Sequence, residues 1–173
     1  RIFLETGSGK REENTGDSPQ QGAIAIIGMS GRFAKSETVD ELWEHLSNGE
    51  DLVEKVSRWD LSEYYSDSPG NSVGSCNHGG FLDDIDGFDP FFFNISGLEA
   101  TYMDPQQRFF LEESWKALED AGYAGTGIEG RMCGVYVGCG VADYQHLFED
   151  NPPAQAFWGN AGSVIPARIA YYL

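Results

Sequence analysis

The sequence predicts an α/β fold, and three features carry that prediction. A β-branched run, Ala23-Ile24-Ala25-Ile26-Ile27, ends in Gly28 and suits a strand buried on both faces of a parallel sheet. An amphipathic helix follows it after a glycine-bearing turn, which makes a strand–helix unit. A second apolar run, Cys133-Gly134-Val135-Tyr136-Val137, follows a longer helix and closes in Gly138-Cys139-Gly140, as a second buried strand would.

Taken in order, residues 1–22 are polar and without periodicity after Ile2-Phe3-Leu4, and read as a linker or a fraying terminus. Gly9-Lys10 does not make a phosphate loop, because Arg11 stands where Ser or Thr should hold magnesium and Leu4 where the first glycine should be. Thr38 and Glu41 form a capping box, with Val39, Leu42, Trp43 and Leu46 on one stripe and Gly49 as the stop. Residues 51–103 read as mostly irregular, with Phe91, Phe92 and Phe93 destined for a core. The clearest helix runs from Pro105 to about Ala121. Asp104 caps it, Gln107 can reach back to complete a box, and Leu111, Trp115 and Leu118 form a stripe beside Phe110, Ala117 and Ala121. Gly122 ends it. The last stretch, Asn160 to Leu173, carries Val164, Ala167, Ile169 and Ala170, and Pro166 can sit only in the first turn of a helix there.

Composition narrows the function. With 11 Lys+Arg against 28 Asp+Glu, the net charge of −17 opposes nucleic acid, whose phosphates need a basic stripe, and equally an anionic membrane surface. No apolar run approaches the ~20 residues that span a bilayer, and no charged-then-apolar leader opens the chain. A soluble, acidic, cytoplasmic protein is expected. Three cysteines are too few for a disulfide scaffold. Cys133 and Cys139, on one face of a strand, would stand about 20 Å apart, too far for a disulfide or a shared metal.

Candidate chemistry is sparse. Gly70-Asn71-Ser72-Val73-Gly74 spells a nucleophile elbow but lacks the flanking strand and helix that would expose Ser72. Cys76 and His78 could pair as thiolate and imidazolium, or offer two metal ligands without a second pair. Asp83, Asp84, Asp86 and Asp89 lack calcium-loop spacing and read as solvated loop acids. Asn94-Ile95-Ser96 is a glycosylation sequon by spelling alone. His45, His78 and His146 are scattered, and His45 falls on the polar side of its helix, as a solvated histidine.

Four ordered blocks carry a resemblance to a known family. They are Ala23 through Phe33; Gly79-Gly80-Phe81-Leu82 with Asp83, Asp86, Phe88 and Asp89; Met103-Asp104-Pro105-Gln106-Gln107-Arg108 continuing to Gly122; and Gly134 through Gly138 with Gly162 through Tyr171. Over residues 22–173 the sequence resembles the β-ketoacyl synthases, specifically the ketosynthase domains of modular type I polyketide synthases. Gly97-Leu98, Ser30-Gly31 and Ala34-Lys35 depart from the family pattern in loops.

The resemblance implies a thiolase-like fold, of which this chain would be the N-terminal part of the first βα half, incomplete. Residues 1–22 would be an interdomain linker, and residues 23–173 the front of the ketosynthase, ending before the nucleophile elbow. It implies acyl transfer from a carrier protein's phosphopantetheine arm to a cysteine, then decarboxylative Claisen condensation with a malonyl-type extender. The implied partners are an acyl carrier protein, flanking synthase domains and a second copy in a homodimer, with no nucleic acid and no membrane. No cofactor is expected on this segment. No catalytic, cofactor-binding or metal-binding residue carries over, because none of the three cysteines or three histidines matches a catalytic position; the nucleophile and both histidines are expected after Leu173. On its own the segment is expected to be inactive and poorly folded. Two other readings are a non-catalytic carrier-binding scaffold and a hydrolase acting through Ser72.

Overall fold

The computed structural model describes residues 24–61, 76–148 and 151–172. The chain divides into two compact units, one of residues Gly31–Gly87 and one of Arg1–Ser30 with Phe88–Leu173.

The smaller unit begins with a tight turn in which Phe33 and Ser36 exchange both backbone hydrogen bonds (2.8 and 3.0 Å) and Lys35 takes a left-handed φ of 56°. Helix α1 (Val39–Ser47) follows. Its expected box is formed one residue wider than drawn: Thr38 accepts from the Glu41 N–H at 3.1 Å, while the Glu41 carboxylate reaches back to Glu37 N–H at 2.6 Å. At the other end Gly49, at φ 71°, donates to Leu46 O, and Glu50 donates to His45 O at 3.0 Å. That pair of bonds satisfies the helix's last carbonyls and needs a residue free to adopt positive φ. Strands β1 (Glu54–Lys55) and β2 (His78–Gly79) pair antiparallel, Glu54 opposite Gly79. Beside them Trp59 meets Phe81 edge-on at 5.8 Å, and the Arg58 guanidinium covers the same ring. Val39 and Leu42 are half-buried, but Trp43 and Leu46 are exposed, so the stripe of α1 is covered on one side alone.

The larger unit holds the core. Helix α2 (Gly97–Tyr102) is capped by Ser96 accepting from Glu99 N–H at 3.2 Å. Helix α3 (Pro105–Asp120) is the long element, ended by Gly122 at φ 74° with the same two-bond motif as α1. Short 3₁₀ turns at Gly125–Gly127 and Tyr144–Leu147 lead to α4 (Ala154–Asn160) and α5 (Val164–Tyr172). Pro166 sits in the first turn of α5, where its missing N–H costs nothing. Phe93, Ile95, Met103, Leu111, Ile165 and Ile169 form the buried cluster, with Trp115, Val135 and Val137 packed against it.

Three sequence expectations need correction. Among the described residues, 24–28 and 133–137 form no strand ladder. Ile24 (79%) and Ile26 (53%) are exposed rather than buried on two faces. In 133–137 the alternation survives, with Cys133, Val135 and Val137 half-buried and Gly134 and Tyr136 exposed, so one face is covered and the other open. The physical reason is that a parallel strand takes both its hydrogen bonds and its second cover from segments distant in sequence, and the described residues supply neither. Of the three phenylalanines only Phe93 enters the core; Phe92 lies edge-on to Trp115 at 5.0 Å and Phe91 is 83% exposed. The last helix starts at Val164, which puts Pro166 in its first turn as expected, and Asn160 ends a separate helix. Gln107 does not complete the box at α3, because the Asp104 N–H already donates to Gly159 O.

Candidate functional site

The nucleophile candidates are scattered and differently engaged. The exposed Cys76 thiol donates to the backbone oxygen of His78 at 3.1 Å, so the contact between these two residues is not a thiol–imidazole pair. Cys133 is half-buried with its sulfur 3.9 Å from Gly134 O, and Cys139 is exposed. His78 and His146 are exposed. His45 departs from expectation, being half-buried with both ring nitrogens bonded, Nδ1 to the Glu50 carboxylate at 2.7 Å and Nε2 to Lys35 O at 3.1 Å. Ser72 lies outside the described residues. Among the described residues no three His, Cys, Asp or Glu side chains come together as a metal site would require. Asp84 and Asp89 spend their carboxylates on the N–H groups of Gly87, Phe91 and Phe92.

The densest polar construction is at the start of α3. Asp104 accepts from Gln106 N–H at 2.8 Å, and Pro105 has no N–H to satisfy. The Asp104 N–H, which a capping-box glutamine would normally take, already donates to Gly159 O at 2.9 Å. Gln107 is therefore free to turn away, and its Nε2 donates to Trp158 O (3.0 Å) and Ala161 O (3.2 Å). Asn160 returns the link, its Nδ2 donating to Tyr102 O at 2.9 Å and Ala156 O at 2.7 Å. Gln106 Oε1 accepts from Gly140 N–H at 3.1 Å, which ties in the chain after residue 137. Gly159 is required by space: a Cβ there would lie 2.4 Å from Tyr102 O. The Gln107 side chain, the Asp104 N–H and the Asn160 side chain thus stitch the start of α3 to the corner between α4 and α5. Gln107 is 1% exposed, so these bonds form largely away from water.

A second polar link crosses to α5, where Arg168, 8% exposed, meets Glu99 of α2 at 2.6 Å. Beside it burial, reinforced by the Glu99 charge, pushes the Tyr172 phenol above its ordinary range. Between α3, α5 and residues 128–137 lies a cavity of about 420 Å³, with Phe110, Leu118, Val135, Val137 and Ile169 among its walls. Ser114 and Cys133 also line it. Glu129 and Arg131 stand in the same lining, so the cavity joins an apolar wall to a charged one.

Known proteins resemble this chain in sequence and in fold. Residues 21–173 match the family described as "Beta-ketoacyl synthase, N-terminal domain". The polyketide synthase PksM of Bacillus subtilis is 47% identical over 152 residues, 87% of this chain and 3% of that protein. The ketosynthase from module 6 of the bacillaene synthase of Bacillus subtilis 168 superposes with a TM-score of 0.72 at 39% identity, over 86% of this chain and 24% of that one. The Streptomyces albus oxazolomycin ketosynthase domain OzmH KS7 gives 0.70 at 32% identity, over 85% and 27%. This chain therefore spans about a quarter of the solved ketosynthases it matches and a few per cent of the curated synthase. With its fold, its polar junction and these likenesses together, the chain belongs to the β-ketoacyl synthase family and carries the N-terminal part of its thiolase-like fold.

Proposed function

We propose that this chain is the leading scaffold of a ketosynthase domain in a modular type I polyketide synthase, and that the domain elongates acyl chains. A cysteine thiolate attacks the thioester carbonyl of an acyl group on a carrier protein's phosphopantetheine arm, and the arm's thiol leaves. A malonyl-type extender then loses CO₂, and the resulting enolate carbon attacks the acyl-enzyme carbonyl, expelling the cysteine sulfur and leaving a β-ketoacyl carrier protein. Such steps need a tuned thiolate and donors aimed at the developing oxyanion. None of Cys76, Cys133 and Cys139, and none of His45, His78 and His146, is assigned a part in them. The thiol of Cys76 and both nitrogens of His45 are engaged elsewhere, as described.

The observation that carries this reading is the fold likeness to the module 6 ketosynthase, 39% identical over 86% of the chain. Carrier protein, flanking synthase domains and a second ketosynthase copy are the partners that reading calls for, with residues 1–22 as the linker. The net charge of −17 disfavours this segment as the docking face for an acidic carrier. A cytoplasmic setting accords with the absence, among the described residues, of any helix long and apolar enough to cross a membrane.

The test is to supply the intact synthase with acyl and malonyl thioesters on its carrier proteins. Release of CO₂ coupled to a β-ketoacyl carrier product is expected. Acyl loading with no carbon–carbon bond formation would overturn elongation and leave a domain that only passes chains on.

A further inference from the structure

His45 stands between two groups that can only accept a hydrogen bond. Its Nδ1 is 2.7 Å from a Glu50 carboxylate oxygen and its Nε2 is 3.1 Å from the Lys35 backbone oxygen. A neutral imidazole has one N–H and can serve only one of them; the imidazolium serves both. We propose that His45 is the charged pin of a pH-operated clasp fastening the last turn of α1 to the tight turn closed by Phe33 and Ser36.

The surroundings favour the charged pin from each side. His45 lies in the last turn of α1, where the helix dipole favours a cation. Glu44 on the same helix adds negative charge. Glu50, beyond the helix end, grips the residue twice, its N–H bonding His45 O at 3.0 Å while its carboxylate holds the ring. The other Glu50 oxygen accepts from Asn48 Nδ2 at 3.3 Å, so the carboxylate is fixed before it meets the histidine. From the turn, Lys35 presents its carbonyl to the ring, and its ammonium pairs with Glu54 of β1 at 3.8 Å. Lys35 holds a left-handed φ of 56°, a conformation that a non-glycine residue keeps only when its neighbours hold it.

The hydrogen bond to Glu50, more than any other contact, raises the His45 pKa above 6.5, and the same bond lowers that of Glu50 below 4.5. For His45 the stabilisation is complete below 6.5 and is lost as pH rises through its raised value. For Glu50 it is complete above 4.5 and is lost as pH falls through its lowered value. The clasp is thus closed between the two and opens on the alkaline side by losing one of the ring's two bonds.

Hydrogen exchange of the intact protein carrying this sequence, followed from about pH 5.5 to about pH 9 and corrected for intrinsic rates, tests this. Peptides covering residues 33–50 should lose protection about two- to five-fold as pH rises through the His45 titration, the size expected for an exposed pair. Glu50→Gln should move the loss to lower pH, and His45→Gln should leave protection low and independent of pH. Peptides from α3 report, in the same sample, that the rest of the fold is intact. Wild-type protection that stays flat with pH, or falls in parallel with that of His45→Gln, would overturn the clasp.

Discussion

Replacing Gln107 by Leu removes the two hydrogen bonds that hold the α4–α5 corner to α3, those to Trp158 O and Ala161 O at 3.0 and 3.2 Å. At about 1 kcal/mol each the loss is about 2 kcal/mol. Leu also removes Gln107 Oε1, a buried acceptor without a donor among the described residues, which returns part of that. A net cost of about 1–2 kcal/mol remains, equivalent to roughly 5- to 30-fold in a local opening equilibrium. Gln107→Glu is the sharper probe. It keeps the shape but directs an acceptor-only carboxylate at two carbonyl oxygens, so its cost should exceed that of Leu, to about 3 kcal/mol or more. The assay is amide exchange of peptides spanning residues 154–172 in the intact ketosynthase, with the order wild type, Leu, Glu from slowest to fastest. Glu exchanging no faster than Leu would mean that the Gln107 amide nitrogen is not the donor, and the stitching argument would fail.

Other substitutions probe the same unit. Gly159→Ala should destabilise by about 2 kcal/mol or more, because the new methyl meets the Tyr102 carbonyl at 2.4 Å and backbone cannot yield cheaply; an unchanged melting temperature would contradict it. Leu111→Ala empties a fully enclosed position and should cost about 2–5 kcal/mol in denaturant unfolding. Glu99→Ala leaves the Arg168 guanidinium buried without its carboxylate. Because Glu99 is itself 27% exposed, about 2 kcal/mol is expected rather than the full penalty of a buried pair. Adding Arg168→Met to Glu99→Ala should recover part of the loss, and a further fall in stability would argue that the pair contributes nothing.

What could be read from the residues alone was whatever neighbours in sequence decide. Thr38, Gly49, Asp104 and Gly122 act within one helical turn of themselves, and all four cap as expected. The Ser96 cap on Glu99 N–H is equally local, and α2 stands inside a stretch whose composition alone reads as mostly irregular. Gln107 departs from the expected box because the competing partner, Gly159 O, lies 52 residues beyond it and takes the Asp104 N–H. Residues 24–27 and 133–137 have the composition of strands, but composition cannot supply the neighbours that make a sheet. The family was legible from ordered motifs, whereas of the two nucleophile pairings the residues suggest, Cys76 bonds the His78 backbone oxygen instead of its ring and Ser72 lies outside the described residues.

The most direct measurement is to load the intact synthase with an acyl thioester, quench it before extension, and map the acylated cysteine by peptide mass. The account predicts an adduct on a ketosynthase cysteine other than Cys76, Cys133 and Cys139, with loading undiminished when all three are changed to Ala. An acyl group on any of those three would contradict the assignment of this chain as scaffold.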